Sequence, residues 1–255
     1  MLIAQITDPH LRADGRDPCH DPAQAMRRAF AQIAAMDVRP DAIVLTGDII
    51  DRSATGYAHA VPLLREAPVQ LLPLSGNHDR AGAFREAFAD WAPFAEDHLS
   101  FVAGVGDALL IGLDSNLPGG RGGVDDARLD WLSDALSSAR APVILALHHP
   151  PFPTYTPHLD TAGFAGAKAL ASCVTGSRVC RIIAGHSHRG IQTSWAGVPA
   201  STCNAIGHGL SLSLSGTDPH EPVDTPPGFE LHLLRSGSIV SHQMGLIWRR
   251  SDQFS

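Results

Sequence analysis

What most constrains this 255-residue chain is a repeated junction, in which a short aliphatic run gives way at once to Asp, Asn or His. Residues 2–7 run into Asp8-Pro9-His10, residues 42–46 into Gly47-Asp48, and residues 69–74, through Ser75, into Gly76-Asn77-His78-Asp79. Residues 143–147 run into His148-His149-Pro150-Pro151, and residues 179–184 into Gly185-His186-Ser187-His188. Near-continuous aliphatic runs of this length mark strands covered on both faces. Between them, Met26, Phe30 and Ile33, then Phe84, Phe88 and Trp91, then Leu129, Leu132 and Leu136 recur at helical spacing. Asp21-Pro22 and Asp125-Asp126 supply helix-start chemistry. The alternation, with a further run at 109–113, predicts a sheet with helices on both faces. Strands of one sheet bring their carboxyl ends to a common edge, so the polar clusters should meet in space.

After Gly185 the pattern changes. Residues 190–205 and 228–245 read as β-hairpins turning at Ala196-Gly197 and Ser236-Gly237. Residues 215–227, rich in Pro, Asp, Thr and His, form a long loop and a candidate lid over a substrate pocket. With no internal repeat, the expectation is one domain over residues 1–255. A chain of this length buries about 70% of its extended surface on folding, enough for a core without staples.

Charge narrows the partners. Against 26 acidic residues there are 19 Lys and Arg, a net charge of −7, which argues against an electrostatically driven binder of nucleic-acid duplex. Nor does it favour an anionic membrane. No stretch reaches the ~20 apolar residues of a membrane span, and the first residues lack a basic segment and cleavage site, so a cytoplasmic location is expected. Cys19, Cys173, Cys180 and Cys203 show no C-x-x-C spacing and read as free thiols, with a Cys173–Cys180 bridge as the alternative.

Each cluster alone has a plain reading: Asp8 or Gly47-Asp48 as turn residues, Asn77-His78 as loop hydrogen bonders, His148 as a satisfied interior histidine. Together they form a donor set. Asp8, His10, Asp48, Asn77, His148, His186 and His188 offer carboxylate, imidazole and amide oxygen without thiolate, a set suited to Mn, Fe or Zn. Seven groups suffice for two ions when one carboxylate bridges, and a hydroxide between the ions would offset their repulsion. A net-acidic protein could thereby hold a locally cationic pocket.

In this order the motifs D-x-H, G-D, G-N-H-D, H and G-H-x-H resemble the signature of the calcineurin-like metallophosphoesterases, spanning residues 8–188. The G-N-H-D and H-H-P-P blocks are most similar to those of the bacterial cyclic-nucleotide (class III) and glycerophosphodiester phosphodiesterases. That resemblance implies a four-layer α/β/β/α sandwich with two mixed sheets. It implies two transition-metal ions, one held by Asp8, His10 and His188, the other by Asn77, His148 and His186, with Asp48 bridging. It implies that His78 contacts phosphate and assists the leaving oxygen, and that a metal-held hydroxide hydrolyses a small-molecule phosphodiester. Asp79 would fix the tautomer of His78, Asn77 would also touch substrate, and His149 would support from outside the ligand set.

Other readings stay open. Asp48-Ile49-Ile50-Asp51-Arg52 echoes a protein-phosphatase block in which the arginine grips phosphate, against a surface role for Arg52. Phe152, Tyr155 and Phe164 would suit a nucleobase or simply pack a loop, and Thr202-Cys203-Asn204 with His208 would line a pocket or a plain polar loop. A phosphomonoesterase, a repair nuclease and a catalytically dead scaffold are the rival functions; a homo-oligomer is neither required nor excluded.

Overall fold

The aliphatic runs form strands, but of two sheets rather than one. The computed structural model describes residues 1–52 and 56–247. In the first sheet β1 (Leu2–Ile6), β2 (Ala42–Thr46) and β3 (Leu71–Leu74) run parallel. The chain's late hairpin, β14 (Gly228–Arg235) and β15 (Ser238–Gly245), extends it antiparallel from β1, giving the order β15-β14-β1-β2-β3. The second sheet has the order β10-β11-β9-β8-β5-β4. Its parallel centre is β5 (Ala108–Leu113), β8 (Val143–Leu147), β9 (Val179–Ala184) and β11 (Val198–Thr202). Antiparallel edges are supplied by β4 (Phe101–Val105) and β10 (Ile191–Trp195). Two short ladders complete the set, β6 (Asn116–Leu117) with β7 (Arg121–Gly122) and β12 (Gly209–Leu210) with β13 (Pro222–Val223).

Alternation along each strand builds the layers. Leu2, Ala4 and Ile6 of β1 face Met26, Phe30 and Ile33 of α1 (Pro22–Ala34), together with α2 (Tyr57–Leu64) and α3 (Ala81–Ala87). Ile3 points the other way, into a core shared with Leu110, Ile144 and Ile183 of the second sheet. The far face of that sheet, through Ile111, Leu145 and Ile182, packs on Leu132 and Leu136 of α4 (Asp126–Ser138) and on Leu170 of α5 (Ala167–Val174). The molecule is therefore a four-layer α/β/β/α sandwich. The expectation of helices on both faces of one sheet is corrected: each sheet has helices on one face and its companion sheet on the other. An aliphatic strand looks the same in sequence in either setting.

Local chemistry explains the boundaries. Asp21 accepts from the amides of Ala23 and Gln24 with Pro22 in the first turn of α1, and Asp125 accepts from Arg128 N–H at the start of α4. The stripe Phe84, Phe88, Trp91 outruns its helix: α3 ends with Phe88 at its cap, and Trp91 stands in the following turn. The rings still pack, 4.7 Å between Phe84 and Phe88 and 5.5 Å between Phe88 and Trp91, so an aromatic cluster had imitated a longer helix. Both late hairpins turn where expected, with Ala196 and Gly197 at φ 51° and 77° and Ser236 and Gly237 at 52° and 77°, the left-handed pair a tight hairpin uses. All four cysteines are free, so no Cys173–Cys180 bridge forms. Among the described residues no helix is long and apolar enough to cross a membrane.

Candidate metal centre

The five junctions lie at the carboxyl ends of β1, β2 and β3 in one sheet and of β8 and β9 in the other, and their side chains meet. The chain bends hard to aim them. Asp8, His10, Asp48, His186 and His188 all have positive φ, between 45° and 69°. Left-handed backbone costs a non-glycine residue about 1–2 kcal/mol, and such outliers gather where geometry serves function. Two glycines make room: a Cβ on Gly47 would strike the His148 ring, and one on Gly76 would strike Asp48. The Gly preceding Asp48 and the Gly preceding Asn77 are thus required by close approach.

The donors fall into two groups sharing Asp48. In the first, His10 Nε2 is 3.0 Å from His188 Nε2 and 3.6 Å from Asp48 Oδ2, and His188 Nε2 is 3.6 Å from Asp8 Oδ1. In the second, His148 Nε2 is 3.0 Å from Asn77 Oδ1 and 3.4 Å from Asp48 Oδ1, with the His186 ring 5.2 Å from that of His148. One carboxylate thus turns one oxygen to each group. The orientation of the rings is fixed from behind: His188 Nδ1 donates to His208 O at 2.8 Å, and His148 Nδ1 donates to Thr46 O at 2.8 Å. Each of these Nε2 atoms is then a bare lone pair facing other lone pairs. Acceptors converge on acceptors, an arrangement that only a cation or an extra proton relieves. The residues fit a metal.

Electrostatics agrees. Burial holds His10 well below the ordinary histidine range, His186 at about 3 and His188 at about 4, so all three are neutral imidazoles near pH 7, the form that could bind a metal. Burial would raise Asp48, but the imidazoles of His148 and His10 prevail and hold it well below the usual carboxylate range. Burial would also lower His148, and Asp48 instead lifts it to about 9. Burial, with Asp48 nearby, pushes Asp8 up to about 7. Without a cation, the cluster holds its charge balance by protons.

Around this centre several expectations change. The partner of His78 Nδ1 is Asp51, at 2.9 Å, not Asp79. Asp79 instead accepts from Gly76 N–H at 2.8 Å, Ile49 N–H at 3.1 Å and Tyr57 O–H at 2.7 Å, tying the loops that carry Asp48 and Asn77 to each other. Arg52 is exposed with φ 54° and is not part of the cluster. His149 stands 4.6 Å, ring to ring, from His186, with Nδ1 3.1 Å from Ser115 Oγ. Tyr155 is 79% exposed, whereas Phe152 and Phe164 line a cavity of about 600 Å³ beside the centre. His208 leans its ring on His10 and His188 at 5.4 and 5.0 Å. Asp17, which sequence reading missed, grips His208 Nδ1 at 3.0 Å. Burial opposes ionisation of Asp17, yet this bond and two main-chain amides bring it down to about 2.

A sequence model described as calcineurin-like phosphoesterase matches residues 1–190. The chain belongs to that family. It is 32% identical, over 84% of its length and 73% of the relative's, to a probable cyclic nucleotide phosphodiesterase of Rhodococcus erythropolis. To a probable glycerophosphodiester phosphodiesterase of Arcobacter nitrofigilis it is 29% identical over 91% of this chain and 88% of the other. Among solved structures, a dimetal phosphatase from Danio rerio superposes with TM-score 0.72 over 97% of this chain and 96% of that one; at 17% identity this shows the fold alone.

Proposed function

We propose that this calcineurin-like phosphoesterase hydrolyses small-molecule phosphodiesters with a pair of transition-metal ions, Mn, Fe or Zn. The reading rests on one observation above all: carboxylate, imidazole and amide-oxygen groups of Asp8, His10, Asp48, Asn77, His148 and His188, most of them buried, converge in two groups that share Asp48. Asp8, His10 and His188 would hold one ion, Asn77, His148 and His186 the other, and Asp48 both. Ions held there would supply Lewis acidity toward phosphate oxygens and would lower the pKa of bound water. The names of the relatives, cyclic nucleotide and glycerophosphodiester phosphodiesterases, support a diester.

The rest is the work of the chain's own groups. His78 sits edge-on to the His10 ring at 4.6 Å, its Nε2 4.0 Å from Asp48 Oδ2, so this nitrogen faces the centre. Asp51 on Nδ1 steadies the protonated ring, which passes its Nε2 proton to the departing ester oxygen. Asp51 is itself held by Arg12 Nη1 at 2.7 Å. Asp79 acts by position, setting the spacing of Asp48 and Asn77. Four free thiols support a reducing, cytoplasmic setting. Manganese-reconstituted protein should turn over bis-p-nitrophenyl phosphate faster than p-nitrophenyl phosphate. The reverse order would make it a monoesterase, and no turnover of either would overturn the reading.

A further inference from the structure

Among the histidines at the centre, His149 is held the opposite way round. His148 and His188 give their Nδ1–H to main-chain carbonyls, which leaves each Nε2 as an acceptor. The His149 ring meets a hydroxyl instead. Ser115, fully buried just after β5, accepts from the His149 main-chain N–H at 3.0 Å, and the same Oγ lies 3.1 Å from His149 Nδ1. Among the described residues no other acceptor stands within reach of that hydroxyl. A buried hydroxyl keeps its hydrogen bonded. Ser115 therefore donates to Nδ1, and the ring proton of His149 stands on Nε2. The ring is confined as well. A Cβ on Gly122 of β7 would come within 2.7 Å of its Cγ, and the His186 ring lies 4.6 Å away on centroids. His149 forms the inner end of the cavity together with Asn77 and His186, and its Nε2 has no partner among the described residues.

We propose that His149 is a further catalytic residue, whose Nε2–H donates to a non-bridging oxygen of the phosphoester bound at the Asn77 and His186 end of the cavity. The inference rests on the hydrolytic reading above and adds to it a neutral donor where the remaining groups present acceptors. Phosphate oxygens are acceptors, so a cation or an N–H must meet them. An N–H fixed in a buried wall needs no reorganisation as charge develops on those oxygens, and its contribution is largest in the transition state. The ring keeps its proton throughout; transfer to the leaving oxygen stays with His78. Ser115 and Gly122 are positioning residues, acting through the ring. A protonated Nε2 also removes His149 from the ligand set, although one of its nitrogens lies within 4.8 Å of nitrogens of His148 and His186.

Heteronuclear spectra of metal-free wild type with isotope-labelled histidine read the tautomer directly. The ring signal lost in His149→Gln should be that of an Nε2–H imidazole. Manganese-loaded His149→Ala should keep its metal by elemental analysis, while kcat on bis-p-nitrophenyl phosphate falls about 10²-fold. Inorganic phosphate, by calorimetry, should bind that variant about ten-fold more weakly. His149→Gln, which retains an N–H, should recover most of both losses. An Nδ1–H tautomer, loss of manganese in His149→Ala, or unchanged kcat and phosphate affinity in that variant overturns the proposal. The tautomer is read on wild type, so a poorly folding alanine variant does not shield it. An active wild type with an indifferent His149→Ala would sink this inference alone; a wild type that neither binds manganese nor turns over a diester would sink the reading beneath it.

Discussion

Among the described residues, two buried clusters rich in His and carboxylate differ in how donors meet acceptors. Between the sheets, Gln5 of β1, Glu230 and His232 of β14, Arg181 of β9 and Ser201 of β11 form a network in which donors meet acceptors. Gln5 Nε2 donates to Ala184 O at 2.8 Å, and His232 Nε2 donates to Gln5 Oε1 at 3.0 Å. Arg181 Nη2 donates to Ser201 Oγ at 2.6 Å, and Ser201 in turn donates to Glu230 Oε2 at 3.1 Å. At the strand ends, by contrast, His148 Nε2, Asn77 Oδ1 and Asp48 Oδ1 crowd together, and only a proton on His148 or a cation reconciles them. Both clusters are buried and both are rich in His and carboxylate. Burial of polar groups therefore does not mark function; a mismatch of donors and acceptors does. The inner network is joined by its own donors and acceptors, with Arg181 Nε left over, whereas the outer one is the proposed seat of added cations.

The sharpest way to break this contrast is Asp48→Ala. It removes the one group common to both halves of the centre, so turnover should fall to background and metal content, by elemental analysis, should collapse. His78→Ala comes next: metal content should stay near that of wild type while kcat falls about 10²–10⁴-fold, as for a lost general acid. Metal loss in that variant would place His78 among the ligands instead. On the inner network, Glu230→Ala strands the Arg181 guanidinium in the interior, where 8% of the residue is exposed. Urea unfolding should show a loss of about 3 kcal/mol, with metal content unchanged. A stable Glu230→Ala protein that failed to bind metal would erase the distinction between the clusters.

The smallest effect concerns acid. Asp17 is shifted from its ordinary 3.8 down to about 2 in the fold, net of burial, through His208 and two amides. Its contribution to stability is complete above the unfolded value and is lost as pH falls through the folded one. Thermal unfolding of wild type should therefore weaken between about pH 5 and pH 2, and Asp17→Asn should flatten part of that slope. An identical slope in the variant would remove Asp17 from the account.

The sequence made the central strands and the meeting of their polar ends legible, because strands buried on both faces leave unbroken aliphatic runs. What covered those faces was not, since Ile3 packs on a sheet and Ala4 on a helix with the same chemistry. The edge strand β4 escaped notice because its middle residues are partly or fully exposed and include Gly104. Asp51 was passed over for Asp79, which adjoins His78 in sequence but turns its carboxylate away to main-chain amides. Ser115 and Asp17 reach their places only through tertiary folding, one just after β5 and the other on a long loop. No local spacing announces either.

On the proposed reading, the groups that converge around Asp48 seat two cations. Diffraction from crystals of manganese-loaded protein, recorded at the manganese absorption edge, addresses it directly. Two anomalous peaks should flank the Asp48 carboxylate, one among Asp8, His10 and His188, the other among Asn77, His148 and His186. A difference map with no peak there, or with manganese enclosed by other side chains, would contradict it.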